Sequence, residues 1–151
     1  MSGTIQTDYT APKGLAGGVV NSANVRYTDN KSAHVTKRGK FVKVDAAGSL
    51  VALTAIADTV KGVIIRDDAF SAEAVATGDM VRVAQSGVIF VNCETAAVKD
   101  QAVHVRFIVN GGTEVGDVLN VADGVNTEVL AGATFAETTT AAGLVAINLN
   151  I

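Results

Sequence analysis

The residues of this chain that are chemically suited to catalysis or metal binding are few, and their spacing favours neither. There are two histidines, His34 and His104, and one cysteine, Cys93. A zinc site needs three or four His, Cys or carboxylate ligands, and a reactive thiolate needs a nearby base that lowers its pKa. No acid stands at a useful spacing from either histidine, and Cys93 follows the apolar run Val88–Val91. We therefore expect His104 at a surface or interface and Cys93 as a small buried side chain.

Two further short motifs contain residues that could hold a metal or a phosphate. Asp67 and Asp68 follow Arg66, but adjacent side chains of a strand point to opposite faces, so the triplet favours a strand-ending turn. Gly111-Gly112 lacks the spacing of a P-loop or a dinucleotide fingerprint, which favours a hairpin turn. We accordingly predict no catalytic residue, no metal and no cofactor, and hence a protein that is not an enzyme.

The elements that would have to position any site come from a strand-forming motif that occurs three times at nearly even spacing. Its copies are Gly39–Val44, Gly78–Val83 and Gly116–Val121. Each copy is followed by another glycine and a second apolar run, so the pattern predicts three hairpins. Because side chains alternate between the faces of a strand, we expect the last residue of each copy, Val44, Val83 and Val121, to face the core.

Composition agrees with a β fold. The chain has no Trp and only five Phe, is rich in Val, Ala and Thr, and contains fifteen Gly. Val and Thr are stiff at χ1 and fit a pleated sheet, while Gly supplies turns. We predict an all-β fold, a small β-barrel or sandwich built of repeated hairpins. At most one or two short helices are expected, at residues 69–76 and 95–102.

The first part of the chain differs from the rest. We predict that residues 1–24 form an extended N-terminal arm and that residues 25–151 form a single β domain. Pro12, Gly14, Gly17 and Gly18 interrupt any regular element in the arm. Such a segment is either frayed or laid against a neighbouring molecule.

Charge and hydropathy exclude several classes of partner. The net charge is −3, and the only basic block is Lys37-Arg38-Gly39-Lys40, which disfavours nucleic-acid binding. No apolar run reaches transmembrane length, and the first residues lack the features of a signal peptide. We expect a soluble protein made in the cytosol, with no membrane and no nucleic acid among its partners.

The chain resembles the structural cement, or capsid decoration, proteins of tailed bacteriophages over roughly residues 25–151. The resemblance lies in the three repeated copies, in Gly62-Val63 and in the segment Ala142–Ile147. It implies a small β protein without catalytic residues on the exterior of an assembled capsid. Such a protein would clamp neighbouring copies of the major capsid protein, decorating and stabilising the shell.

The composition and the N-terminal segment also predict how the chain associates with further copies and with a partner. A core of small side chains buries little area per residue, so we expect part of the stability to come from a homo-oligomer, a dimer or a trimer. The arm and the basic block are the expected contact regions. The predicted partner-contact residues are Ile5, Tyr9, Pro12, Leu15, Arg38 and Lys40.

Two alternatives belong to other classes of protein. A carbohydrate-binding or adhesive surface module would need exposed aromatic rings, and the chain offers only Tyr9, Tyr27 and five Phe. A lipoyl or biotinyl carrier domain is suggested by Gly78-Asp79-Met80-Val81, which resembles the opening of such a domain. The modifiable lysine hairpin that a carrier requires is missing, so a turn before a strand is the simpler interpretation.

Overall fold

The computed structural model describes residues 15–21, 25–31, 36–66 and 72–151. Apart from a single 3-10 turn at Gly124–Asn126, the regular elements of these ranges are strands, which confirms the predicted all-β class. In chain order they are β1 Val19–Asn21, β2 Tyr27–Lys31, β3 Thr36–Lys37, β4 Phe41–Val44, β5 Leu50–Ala52, β6 Gly62–Ile64, β7 Ala74–Val75, β8 Met80–Ala84, β9 Ser86–Cys93, β10 Ala102–Arg106, β11 Val118–Leu119, β12 Thr127–Phe135 and β13 Gly143–Asn150.

Five of the later strands close into a barrel. They pair in the order β9-β11-β10-β12-β13, and β13 pairs again with β9 along eight residues. Closure leaves no unpaired edge between these strands. The small β-branched side chains that suit a narrow interior fill the centre, together with one Phe: Val91, Val103, Val105, Val118, Phe135, Val145 and Ile147, all fully buried.

The earlier strands form an open sheet beside the barrel, in the order β2-β8-β6-β4-β5. One set of its side chains, which includes Phe41 and Val63, belongs to the same core cluster as the barrel interior. A second, smaller core contains Val42, Val83 and Val75, the last of which lies in the two-stranded sheet β3-β7. The open sheet is therefore apolar on both faces.

Only the first of the three predicted hairpins forms. Strands β4 and β5 pair directly. Strands β8 and β9 are separated by Gln85 alone but enter different sheets, and β11 and β12 lie on opposite sides of β10. All three copies have the same local signal for a turn. The difference in strand pairing therefore depends on the core against which the strand after each copy packs.

Neither of the possible helices forms in the residues that the structure describes. Part of the first falls in β7, and residues 69–71 lie outside the described ranges. In the second, Ala97 exchanges two hydrogen bonds with Thr139, at 3.0 and 2.9 Å, so its backbone groups are satisfied by a distant segment. Among the described residues, no helix has the length and apolar character required to cross a membrane.

The described part of the predicted arm is packed into the body. Strand β1 pairs with β9 of the barrel. The Gly17 N–H donates to the Phe90 carbonyl at 2.8 Å, and the Gly17 carbonyl accepts from the Arg66 N–H at 2.7 Å. Residues 15–21 therefore connect the barrel to the open sheet. The other residues of the predicted arm, 1–14 and 22–24, lie outside the described ranges, so for them the extended arm stays a prediction.

Candidate interaction surface

The residues with catalytic potential do not assemble into a reaction centre in the described ranges. Cys93 is buried, its Sγ lies 3.8 Å from Thr95 Oγ1, and burial raises the pKa of the thiol, which disfavours the thiolate. His104 is half-buried on the outside of β10. His34, Asp67 and Asp68 fall outside the described residues. No three His, Cys, Asp or Glu side chains that the structure describes converge on a metal position.

The predicted contact residues have different placements. Leu15 is half-buried in the turn before β1, and Arg38 is half-buried, with Nη1 donating to the Ala72 carbonyl at 2.7 Å. Lys40 is 6% exposed and forms ion pairs within the chain, so little of it is left for a partner. Three of the six lie outside the described residues: Ile5, Tyr9 and Pro12.

Lys40 belongs to an ionic cluster that joins the open sheet to the barrel. Its Nζ contacts Asp117 Oδ1, and it lies 2.8 Å from Glu114 Oε2. Lys37 Nζ lies 2.7 Å from Glu114 Oε1. Both acids follow β10 of the barrel, whereas both lysines precede β4 of the sheet. A depression of about 150 Å³ beside this cluster is smaller than the roughly 300–1,000 Å³ typical of small-molecule sites.

The pKa values of the two acids in this cluster are shifted in opposite directions. Hydrogen bonds from Lys37 and Lys40 lower the pKa of Glu114 to about 2. Burial raises the pKa of Asp117, although Lys40 opposes that shift. The cluster therefore favours the charged form of Glu114, whereas burial disfavours the charged form of Asp117.

Glu114→Gln is expected to reduce the loss of stability in acid. The carboxyl group of Glu114 titrates near 4.5 in the unfolded chain and near 2 in the folded protein, so its contribution to stability is complete above pH 4.5 and is lost as the pH falls through about 2. The raised pKa of Asp117 acts the other way, because its contribution to stability is complete below pH 3.8 and is lost as the pH rises above that value. Thermal melting between pH 5 and pH 2 measures the difference, with Glu128→Gln as the charge-matched control. Equal acid-induced losses in wild type and Glu114→Gln would contradict it.

A second ionic cluster is centred on Arg106, at the end of β10. The side chain of Arg106 is 2% exposed. Its Nε and Nη2 donate to the two carboxylate oxygens of Glu94 at 2.6 and 2.7 Å, a bidentate pair. Its Nη1 donates to Asp123 Oδ2 at 2.9 Å and to the Ile108 carbonyl at 3.2 Å. One guanidinium therefore connects β10 to three neighbouring loop segments.

These contacts fix two loops that we call the barrel tip, residues 107–110 and 120–126. The N–H groups of Phe107 and Ile108 both donate to the Asn126 carbonyl, at 2.9 and 3.2 Å. Asn110 Nδ2 donates to Asp123 Oδ2 at 3.0 Å. The tip also carries four exposed apolar side chains: Ile108 at 40%, Val109 at 55%, Val121 at 57% and Val125 at 79% exposure. Apolar side chains grouped on a hydrogen-bonded surface are typical of interaction sites.

Sequence reasoning missed the barrel tip. It placed Val121 on the core face, but β11 ends at Leu119 and Val121 is exposed. A signal was present in the charges, because residues 107–151 contain no Lys, Arg or His.

The comparisons with known proteins agree with this architecture. The family described as structural cement protein (E217 gp24/Pam3 gp6) matches residues 5–150. A solved chain from the capsid of Myoviridae phage XM1 has a similar fold, with a TM-score of 0.72 and 22% sequence identity over 90% of this chain and 89% of that one. No curated protein matches the sequence significantly. Since the family match spans nearly the whole sequence, the chain belongs to the phage structural cement protein family.

Proposed function

We propose that this protein decorates the outer surface of an icosahedral phage capsid and stabilises it by bridging subunits of the major capsid protein. The observation that carries the proposal is the family match over residues 5–150, which assigns the chain a structural role in the phage capsid. The closed barrel supports it, since a stiff body can transmit force between the subunits that it contacts. The ionic clusters support it further, because they hold the barrel loops in place.

The proposal also covers the oligomeric state and the location of the protein. We propose a homo-oligomer, a dimer or a trimer, on the capsid exterior after synthesis in the host cytoplasm, with neither nucleic acid nor a membrane as partner. Many identical copies on one shell make a modest contact sufficient, because linked contacts raise the overall avidity. Residues 1–14 precede the packed segment at Leu15, and we propose that they lie along the capsid or a neighbouring copy.

A carbohydrate-binding module is less well supported. Tyr27 is 44% exposed, but the guanidinium of Arg82 lies 4.8 Å from the centre of its ring, where a sugar would stack. Tyr9 lies outside the described residues. Binding of the purified protein to a glycan array, together with no binding to capsids, would favour this alternative.

Heating phage heads with and without the protein tests the proposed function. We expect added protein to raise the melting temperature of heads prepared without it, because a ligand that binds the assembled state stabilises that state. Deletion of residues 2–14 is expected to leave the body folded and to reduce retention on heads. The deletion stops before Leu15 because Gly17 and Gly18 hydrogen-bond to the body. An unchanged melting temperature of the heads would contradict the proposed function, and full retention of the shortened protein would contradict the role of residues 1–14.

A further inference from the structure

The barrel tip combines exposed apolar side chains with a negative border. The last 45 residues of the chain contain no Lys, Arg or His, so all twelve Lys and Arg precede residue 107. The same segment contains five acids, of which Asp123 and Glu128 lie in or next to the tip, whereas Glu114 and Asp117 are paired with Lys37 and Lys40. At the tip itself, one guanidinium from Arg106 faces two carboxylates, Glu94 and Asp123, so this cluster has a net charge of −1. Glu128 adds an exposed carboxylate just beyond the tip.

The tip is also prepared for docking without rearrangement. Its two loops are joined to each other through Asn126 and Asp123, and both are joined to β10 through Arg106. A surface that is already ordered loses little conformational entropy when it binds, so more of its contact energy contributes to affinity. Val125, at 79% exposure, and Val121, at 57%, would gain most from burial in a partner.

We propose that the barrel tip inserts into an apolar depression bordered by basic side chains on the shell protein. This inference rests on the proposed function and identifies the contact surface. The apolar side chains supply the contact area, and the negative border selects a positive surface and steers the approach to it. The basic border is the feature that distinguishes this partner from an apolar surface of any other kind.

A second copy of this chain fits the tip less well. The cations near the start of the open sheet are already paired within the chain, Lys37 and Lys40 with Glu114, and Lys43 with Asp58 at 2.8 Å. Arg106 is paired with Glu94 and Asp123. A neighbouring copy would have to break these ion pairs to offer those four cations to the tip, so it could contribute only cations outside these clusters, such as the exposed Lys99.

A sedimentation assay with phage heads prepared without this protein tests the proposal. Val125→Asp and Val121→Asp are each expected to weaken binding to the heads about tenfold or more, since each removes an apolar contact and places a carboxylate in it. Val125→Ser is the milder variant and should weaken binding less. Met80→Asp is the matched control, because Met80 is 65% exposed on β8 of the open sheet, and it should bind like wild type. Glu128→Lys should weaken binding and flatten its dependence on salt.

The outcomes separate this inference from the proposed function. Wild type that fails to bind heads would overturn the proposed function and this inference with it. A second result would be that the wild-type protein binds heads while the Val125→Asp and Val121→Asp proteins melt normally and bind equally well. That result would overturn the role of the barrel tip and leave the proposed function intact. A change in the sedimentation coefficient of the free protein on Val125→Asp substitution would assign the tip to contact between copies, and would also overturn docking to the shell.

Discussion

Replacing Arg106 with methionine is expected to lower the free energy of unfolding by about 3 to 5 kcal/mol, the cost typical of removing one partner from a buried ion pair. Methionine fills much of the space of the arginine stem but leaves Glu94 and Asp123 without their cation. Arg106 is 2% exposed and Glu94 15%. The loss of free energy should lie toward the lower end of this range, because Asp123 is 32% exposed and retains some solvation. Chemical denaturation of the purified protein measures the change.

Three variants determine whether this loss comes from the charges. Lys99→Met removes an exposed cation and should change stability by less than about 0.5 kcal/mol. Arg106→Lys keeps the charge but loses the bidentate geometry, so it should be intermediate. Adding Glu94→Gln and Asp123→Asn to Arg106→Met should recover part of the loss, because no buried carboxylate then remains unpaired. If Arg106→Met is as stable as Lys99→Met, the cluster does not stabilise the fold.

Gly39→Ala is expected to lower the free energy of unfolding by about 2 to 5 kcal/mol. Gly39 has a φ of +82°, and an L residue in that region costs about 1–2 kcal/mol. A Cβ at this position would also lie 2.8 Å from the Gly17 nitrogen, inside the segment that connects the barrel to the open sheet. Forcing an atom into that contact adds about 1–3 kcal/mol. Denaturant unfolding at neutral pH measures the total.

Gly48→Ala is the matched control for that substitution. Gly48 has the same φ of +82°, but a Cβ there would meet no atom within 4 Å. It should therefore cost only the backbone contribution of about 1–2 kcal/mol, and the difference between the two variants isolates the close approach to Ala16 and Gly17. Equal losses at both positions would show that the packing of residues 15–18 on the sheet does not contribute to stability.

The all-β class, the strand segments and the family could all be inferred from sequence, because each depends on local composition and short motifs. The ionic clusters and the barrel tip could not be inferred from sequence. Lys40 looks like an exposed basic residue in sequence but is buried between acids more than seventy positions away. The barrel tip forms because Arg106 hydrogen-bonds to segments around residues 94, 108 and 123, and no local sequence pattern specifies those contacts.

The repeated motif separates what the sequence determined from what the tertiary structure decided. In all three copies the opening glycine has a φ between +82° and +92°, and a strand begins two residues later, at Phe41, Met80 and Val118. That turn and that start depend only on the backbone freedom of glycine and on the residues beside it. Yet Phe41 and Val118 are buried while Met80 is 65% exposed, and only one copy pairs with the strand that follows it. Strand pairing and burial depend on contacts between distant segments that compete for the same core, so only the folded chain as a whole could decide them.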